Sequence, residues 1–178
     1  MVEALALLVF VTVQRLAELA WSRRNEKRLR ARGAIEVGAA HYPVMVLLHT
    51  AWLWALWGFG WNRPIVLGWT IAFFVLQAGR AWVLMSLGER WTTRVIVPPG
   101  EPLVRRGPYR FVSHPNYVVV ALEIFVLPMA FGLPWLALGF GVANLAMLAW
   151  RIRVEARALA DLSAPAEIPS SSGEGQRP

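Results

Sequence analysis

Apolar residues gather in four stretches, with polar residues concentrated between them. A bilayer core of about 30 Å takes roughly 20 apolar residues as helix. Residues 2–21 fit one span, interrupted by Gln14, Arg15 and Glu18; residues 42–59 fit a second, with His49 in the middle. Residues 65–87 fit a third, with Gln77 and Arg80 in its second half. Residues 117–150 are too long for one span and are punctuated by Pro128, Gly132 and Pro134. Proline breaks the helical hydrogen-bond ladder, so this stretch predicts a tight helical hairpin, 118–131 and 134–150. Its first arm is short and is expected to sit deep in protein or to tilt. The pattern predicts an all-α integral membrane fold of about five transmembrane helices. Residues 2–21 lack a basic leader and a small-x-small site before Trp21, so the segment reads as a retained span rather than a signal peptide.

Three polar pieces remain. Residues 22–40 are mostly charged and read as a short solvated helix or loop. Residues 88–116 cannot form one helix: Pro98-Pro99-Gly100 is a turn signal, residues 92–97 are a β-branched run, and Gly107-Pro108 is a second break. This piece reads as compact, irregular chain against the membrane face. Residues 151–162 continue the last helix. The division is one transmembrane domain, 1–162, followed by a tail, 163–178, rich in Pro, Ser and Gly and expected to be disordered.

Composition agrees. The 178 residues are 57% hydrophobic and 16% charged, against roughly 45–50% and about 25% for soluble domains. A soluble enzyme and a disordered chain are both excluded. There is no cysteine, hence no disulfide, thiolate ligand or cysteine nucleophile. The net charge is +7, and fifteen of the eighteen basic residues fall in the three polar pieces and the tail, which a five-span topology puts on one side. The positive-inside rule makes that side cytoplasmic, with the amino terminus outside and the carboxyl terminus inside. The six basic residues of 22–40 attract anionic lipid by about 1 kcal/mol each. No module exists to read nucleic acid.

The candidate chemistry sits at the ends and in the middle of spans. Arg151 and Glu155 share a helical face at i,i+4, either as a surface ion pair or as part of a site. His114, before Pro115 at the mouth of a span, reads as a helix-start residue or a site residue. Arg15/Glu18 and Gln77/Arg80 are i,i+3 pairs whose arginines are expected to snorkel toward the headgroups, the alternative being that they line a pocket. Glu123 lies about two turns into its span, where an ionised carboxylate is costly. It must be protonated, paired or facing a wet cavity. The three histidines offer no metal spacing, and no metal is expected. Gly139 and Gly141 lie in an apolar span with no strand before them and do not form a dinucleotide fingerprint.

Residues 103–117 read LVRRGPYRFVSHPNY, and 151–159 read RIRVEARAL. This pair of motifs, joined by an apolar hairpin, resembles the isoprenylcysteine carboxyl methyltransferase family of membrane enzymes that use S-adenosylmethionine. Residues 87–97, LGERWTTRVIV, resemble a bacterial branch whose members methylate alkylpyrones or alkylresorcinols. The resemblance implies a bacterial inner-membrane location. It also implies that Leu103, Val104, Tyr109, His114, Pro115, Asn116 and Tyr117 line the S-adenosylmethionine site, that Glu155 closes it, and that Arg151 faces the acceptor. Ser113 stands where the family has arginine, and Ala156 where it has a second glutamate. Aromatic faces suit an adenine or sulfonium, and in-line methyl transfer needs positioning and water exclusion. The implied acceptor is a lipophilic small molecule or lipidated group, presenting a phenol or pyrone hydroxyl or a prenylcysteine carboxylate. A carboxylate is already ionised at neutral pH, whereas a phenol needs a base, Glu155 or His114, or a cation to lower its pKa. Two other readings stay open: a small transporter using Glu123 as a proton relay, and a non-catalytic protein binding membrane lipid. Oligomeric state is not legible.

Overall fold

A computed structural model describes residues 1–98 and 104–163, with side chains through Arg157. Five helices carry the chain: α1 (Val2–Ala31), α2 (Tyr42–Gly60), α3 (Leu67–Leu87), α4 (Pro115–Ala130) and α5 (Pro134–Ser163). The protein is an all-α integral membrane protein. Four helices are long and apolar enough to span a bilayer, and the 16-residue α4 is the short first arm of the hairpin. Pro115 opens α4 without loss of a helical donor. Pro128 lies in its last turn, and a turn through Gly132 (φ +65°) passes the chain to α5. The tail beyond Ser163, like Pro99, Gly100 and Leu103, lies outside the described residues.

Two polar pieces differ from the sequence reading. Residues 22–31 are helical, one of the two forms expected, but they are no separate element; they continue α1 three turns past Trp21. The next Gly after Trp21 is Gly33 and no Pro intervenes, so nothing in the backbone stops the helix where hydropathy ends. The chain then forms a two-residue strand, β1 (Ile35–Glu36), which pairs antiparallel with β2 (Ile96–Val97). Further bonds knit the two pieces together. Asn25 donates to the carbonyls of Gly88 and Trp91, Ser22 meets Thr93, and Arg28 pairs with Glu89. Arg30 and Arg94 both pair with Glu36. Burial alone would raise the Glu36 carboxyl, but hydrogen bonds from Arg94 and Arg30 outweigh it and hold it below its ordinary range. The basic stretches 22–40 and 88–98 are therefore one cap at one end of the bundle.

The bundle has two unlike halves. Away from the cap, Leu8, Val11, Trp52, Phe73, Leu127 and Phe131 form a dry core. Gly60 lets α2 approach there: a Cβ on it would lie 3.2 Å from the Phe131 ring. Facing outward, Leu47, Trp54, Leu67, Val75, Leu138 and Val142 are strongly exposed, a pattern only a lipid solvent satisfies.

Toward the cap the interior is polar. Arg15 and Arg80 do not snorkel. Glu123 is fully buried and accepts from Arg80 Nη1 (2.5 Å), Arg15 Nη2 (2.8 Å) and Gln77 Nε2 (2.7 Å). Glu18 accepts from Arg80 Nε and Nη2 at 2.5 and 2.6 Å and from Arg15 Nη1 at 3.2 Å. Two arginines and two glutamates thus balance inside a three-helix contact. Of the alternatives for Glu123, the structure selects pairing, because a neighbouring guanidinium repays burial where headgroups are two turns away.

Candidate active site

The loop 104–114 is pinned to α3. Arg106 Nε donates to the Ser86 carbonyl at 2.7 Å. Gly107 has φ +58°, and a Cβ on it would fall 2.0 Å from Ser86 Oγ, so the Gly-Pro-Tyr sequence is needed for contact as well as for the turn. The following 3-10 turn (Gly107–Arg110) presents Tyr109 to the end of α5. Burial, aided by the nearby Glu155 carboxylate, pushes the Tyr109 phenol up to about 12. It is a neutral hydroxyl at any physiological pH.

His114 precedes α4 but makes no side-chain cap. Its ring instead stacks on Tyr117, with centroids 5.0 Å apart and planes within 5°. Tyr117 then joins the two α5 residues. Its hydroxyl donates to Glu155 Oε2 at 2.7 Å and accepts from Arg151 Nε at 2.9 Å. The i,i+4 spacing therefore does not make a direct ion pair; a phenol stands between the two charges. Arg151 is 7% exposed, and its Nη1 reaches Met45 Sδ at 2.9 Å.

A cavity of about 580 Å3 begins at this cluster and runs into the bundle between α1, α2, α4 and α5. Asn116, Tyr117 and Arg151 form part of its cap-side wall, with Tyr42 from α2. Arg94 lies over the Tyr42 ring, 3.9 Å from its centroid, and Thr93 meets its hydroxyl. Most of the remaining wall is aliphatic and tryptophan side chain. Leu16, Val46 and Trp54 belong to that wall and are 62%, 42% and 73% exposed. The cavity consequently opens sideways between α1 and α2, onto the surface that faces lipid.

Of the residues singled out from sequence, Tyr109, His114, Asn116, Tyr117, Arg151 and Glu155 come together. Pro115 is buried as the first residue of α4 and Val104 is half-buried in the loop before it. Leu103 lies outside the described residues. Asn116 Oδ1 is buried without a partner among the described residues. Tyr42, Met45 and Asn144 stand at the cavity without having been singled out. Asn144 had a signal, being the one side-chain amide between Pro134 and Arg151. Tyr42 and Met45 had none, because only tertiary packing brings Met45 to Arg151 and Tyr42 to the same cavity wall.

Residues 69–161 match the model of the isoprenylcysteine carboxyl methyltransferase (ICMT) family. The chain is 38% identical over 162 residues to the uncharacterized protein YpbQ of Bacillus subtilis (strain 168), covering 88% of this chain and 96% of that protein. It is 28% identical over 155 residues to an uncharacterized protein of Haemophilus influenzae, covering 83% and 90%. No solved structure matches.

Proposed function

The chain belongs to the isoprenylcysteine carboxyl methyltransferase family, a family of membrane methyltransferases, and from that premise we propose an S-adenosylmethionine-dependent O-methyltransferase acting on a lipophilic acceptor. The observation that carries this reading is the cavity that opens toward lipid at one end and stops on Arg151 and Tyr117 at the other. A greasy chain has a route in from the bilayer, and its polar head would stop beside a guanidinium.

The residues on the loop side of Tyr117 suit the cofactor. Glu155 offers a carboxylate to a cationic amino group, Tyr109 and His114 offer aromatic faces, and Asn116 offers a buried oxygen that has no partner among the described residues. Bound there, the cofactor supplies a sulfonium methyl group for an acceptor oxygen, the electrons of the broken carbon–sulfur bond staying on sulfur. Arg151 aims the acceptor oxygen and stabilises its negative charge, while Tyr117 and Met45 fix the guanidinium. For a hydroxyl acceptor the proton must also leave. The Tyr117 hydroxyl can accept it while passing its own proton to Glu155 Oε2 along the 2.7 Å bond. The favoured acceptor is the hydroxyl of a phenol or pyrone; a prenylcysteine carboxylate would need Arg151 alone. In this reading the basic cap faces the cytoplasm, where the soluble cofactor is, and the amino terminus lies outside.

Calorimetric titration of the detergent-purified protein with S-adenosylhomocysteine tests the cofactor. Labelled S-adenosylmethionine with a panel of long-chain phenols, pyrones and prenylcysteines tests the acceptor. Arg151→Ala is expected to bind S-adenosylhomocysteine as the wild type does and to transfer no methyl. Absence of binding by a folded sample, or normal turnover by Arg151→Ala, refutes the proposal.

A further inference from the structure

Phe111 is 78% exposed and Val112 47% exposed. They follow the 3-10 turn that presents Tyr109 and precede His114. Large apolar side chains held bare side by side are costly in water and point to another solvent. The packing on α3 tells how deep they lie. A Cβ on Gly107 would fall 3.3 Å from Trp82 Nε1, besides its clash with Ser86. Trp82 and Ser86 are the last two turns of α3, inside the run of that helix that is apolar enough to span a bilayer. Trp82 and its neighbour Met85 are 49% and 69% exposed on the outside of the helix, and tryptophan favours the level where hydrocarbon meets headgroups. The loop therefore does not stand above the bundle in water. It doubles back beside α3 at the depth where α3 still faces lipid.

The turn is built for that depth. Irregular chain is tolerated there only when its own hydrogen bonds are met. Phe111 N and Val112 N both donate to the Pro108 carbonyl, at 3.1 and 3.2 Å, and Tyr109 N donates to the Arg106 carbonyl at 3.3 Å. Pro108 has no N–H to satisfy. Arg105 and Arg110 lie on either side of this turn, are exposed, and have no ion-pair partner among the described residues. Phosphate is the anion found at the headgroup level, and a guanidinium matches it with two parallel hydrogen bonds.

We propose that residues 105–112 form a lipid-anchored arm: Phe111 and Val112 insert beneath the headgroups, and Arg105 and Arg110 hold phosphates of anionic phospholipid. Anionic lipid is the partner because it brings charge that no headgroup ammonium cancels. The insertion stands apart from the methyltransferase reading; its consequence for the cofactor rests on that reading. Tyr109 lies two residues before Phe111 and His114 three after it, so lipid that fixes the arm also fixes two groups assigned to the cofactor. Lipid and cofactor then favour each other's binding by the same factor.

The chain has no cysteine, so Phe111→Cys carrying an environment-sensitive dye reports a single position. In nanodiscs of phosphatidylcholine and phosphatidylglycerol the dye is expected to be quenched by nitroxide-bearing lipid and shielded from aqueous iodide. The same dye on Arg32→Cys, beyond the end of α1, is expected to show the reverse. S-adenosylhomocysteine is expected to bind wild type about fivefold more tightly in these nanodiscs than in phosphatidylcholine alone. Arg105→Gln with Arg110→Gln loses that difference. Phe111→Ser weakens binding in both lipids at unchanged helical content, and Phe111→Leu retains it. Inorganic phosphate added to phosphatidylcholine nanodiscs is expected to change nothing. Iodide quenching at position 111 equal to that at 32, or equal wild-type affinity in the two lipids, overturns the inference while the methyltransferase reading stands. So does a lipid preference kept by the double arginine variant, or one reproduced by inorganic phosphate. Wild type that binds no S-adenosylhomocysteine in either lipid defeats the methyltransferase reading and the coupling, and the dye then decides the insertion by itself.

Discussion

Replacing Glu123 with glutamine keeps the shape of the side chain and removes one charge from the most buried ion cluster in the protein. Three groups now donate to that carboxylate: Arg80, Arg15 and Gln77. After the change, two guanidiniums would share the single carboxylate of Glu18. Glu123 is fully buried and the Arg80 side chain is 7% exposed, so solvent screens little of the difference. Breaking one side of a buried pair costs roughly 3–5 kcal/mol. A chain of this size loses about 2–4 °C of midpoint per kcal/mol, so Glu123→Gln is expected to unfold about 6–20 °C below wild type. Tryptophan fluorescence of the detergent-solubilised protein during heating reads the midpoint. Removing a positive charge as well, in Glu123→Gln with Arg15→Gln, restores the balance and is expected to recover part of the loss. Arg15 is the arginine to choose because it is the more exposed of the two. If Glu123→Gln melts within about 2 °C of wild type, less than 1 kcal/mol on this scale, the carboxylate carries no charge that the arginines need and the pairing argument is wrong. A double variant no better than the single one would refute charge balance as the cause.

Tyr117→Phe removes only the hydroxyl that stands between Arg151 and Glu155, and is expected to lower kcat about tenfold to a hundredfold, the worth of hydrogen bonds to charged groups; a kcat within twofold of wild type would separate that hydroxyl from the reaction. Gly107→Ala places a methyl 2.0 Å from Ser86 Oγ at a φ of +58°. It is expected to displace the Tyr109 turn and abolish S-adenosylhomocysteine binding while circular dichroism still reports the full helical content. The pH response of the cap follows from Glu36. Its folded pKa is lowered, so its contribution is complete above the ordinary carboxylate value of 4.5 and is lost as pH falls through the depressed folded value. Melting temperatures measured downward from pH 6 are expected to fall across that window in wild type, and less steeply in Glu36→Gln.

The spans were legible because each needs only a run of apolar residues, and the hairpin because Pro128, Gly132 and Pro134 interrupt one. The end of α1 was not. Hydropathy marks where lipid stops, whereas a helix stops where a backbone breaker or a competing contact appears, here at Gly33. The pairing of β1 with β2 joins residues 35–36 to 96–97, and two-residue strands carry no period to read. Glu123 was legible as a problem, since a carboxylate two turns into lipid demands a partner. Its partners were not, because Arg15 is 108 positions away in sequence. At the candidate site Tyr109, His114, Asn116 and Tyr117 of the first motif come together with Arg151 and Glu155 of the second. The phenol between Arg151 and Glu155 was hidden for a similar reason: helical spacing gives the two α5 residues a common face but says nothing of a side chain arriving from α4.

The shortness of α4 bears on the membrane itself. Sixteen residues rise about 24 Å, roughly 6 Å less than a typical hydrocarbon thickness. Val118, Leu122 and Phe125 nevertheless turn an apolar face outward along it. Lipid against that face must thin, or the headgroups must dip to meet Pro115. Acyl chain length thereby becomes a control on the protein: short-chain bilayers match α4 as it stands, and thick ones press it to tilt and carry Tyr117 with it.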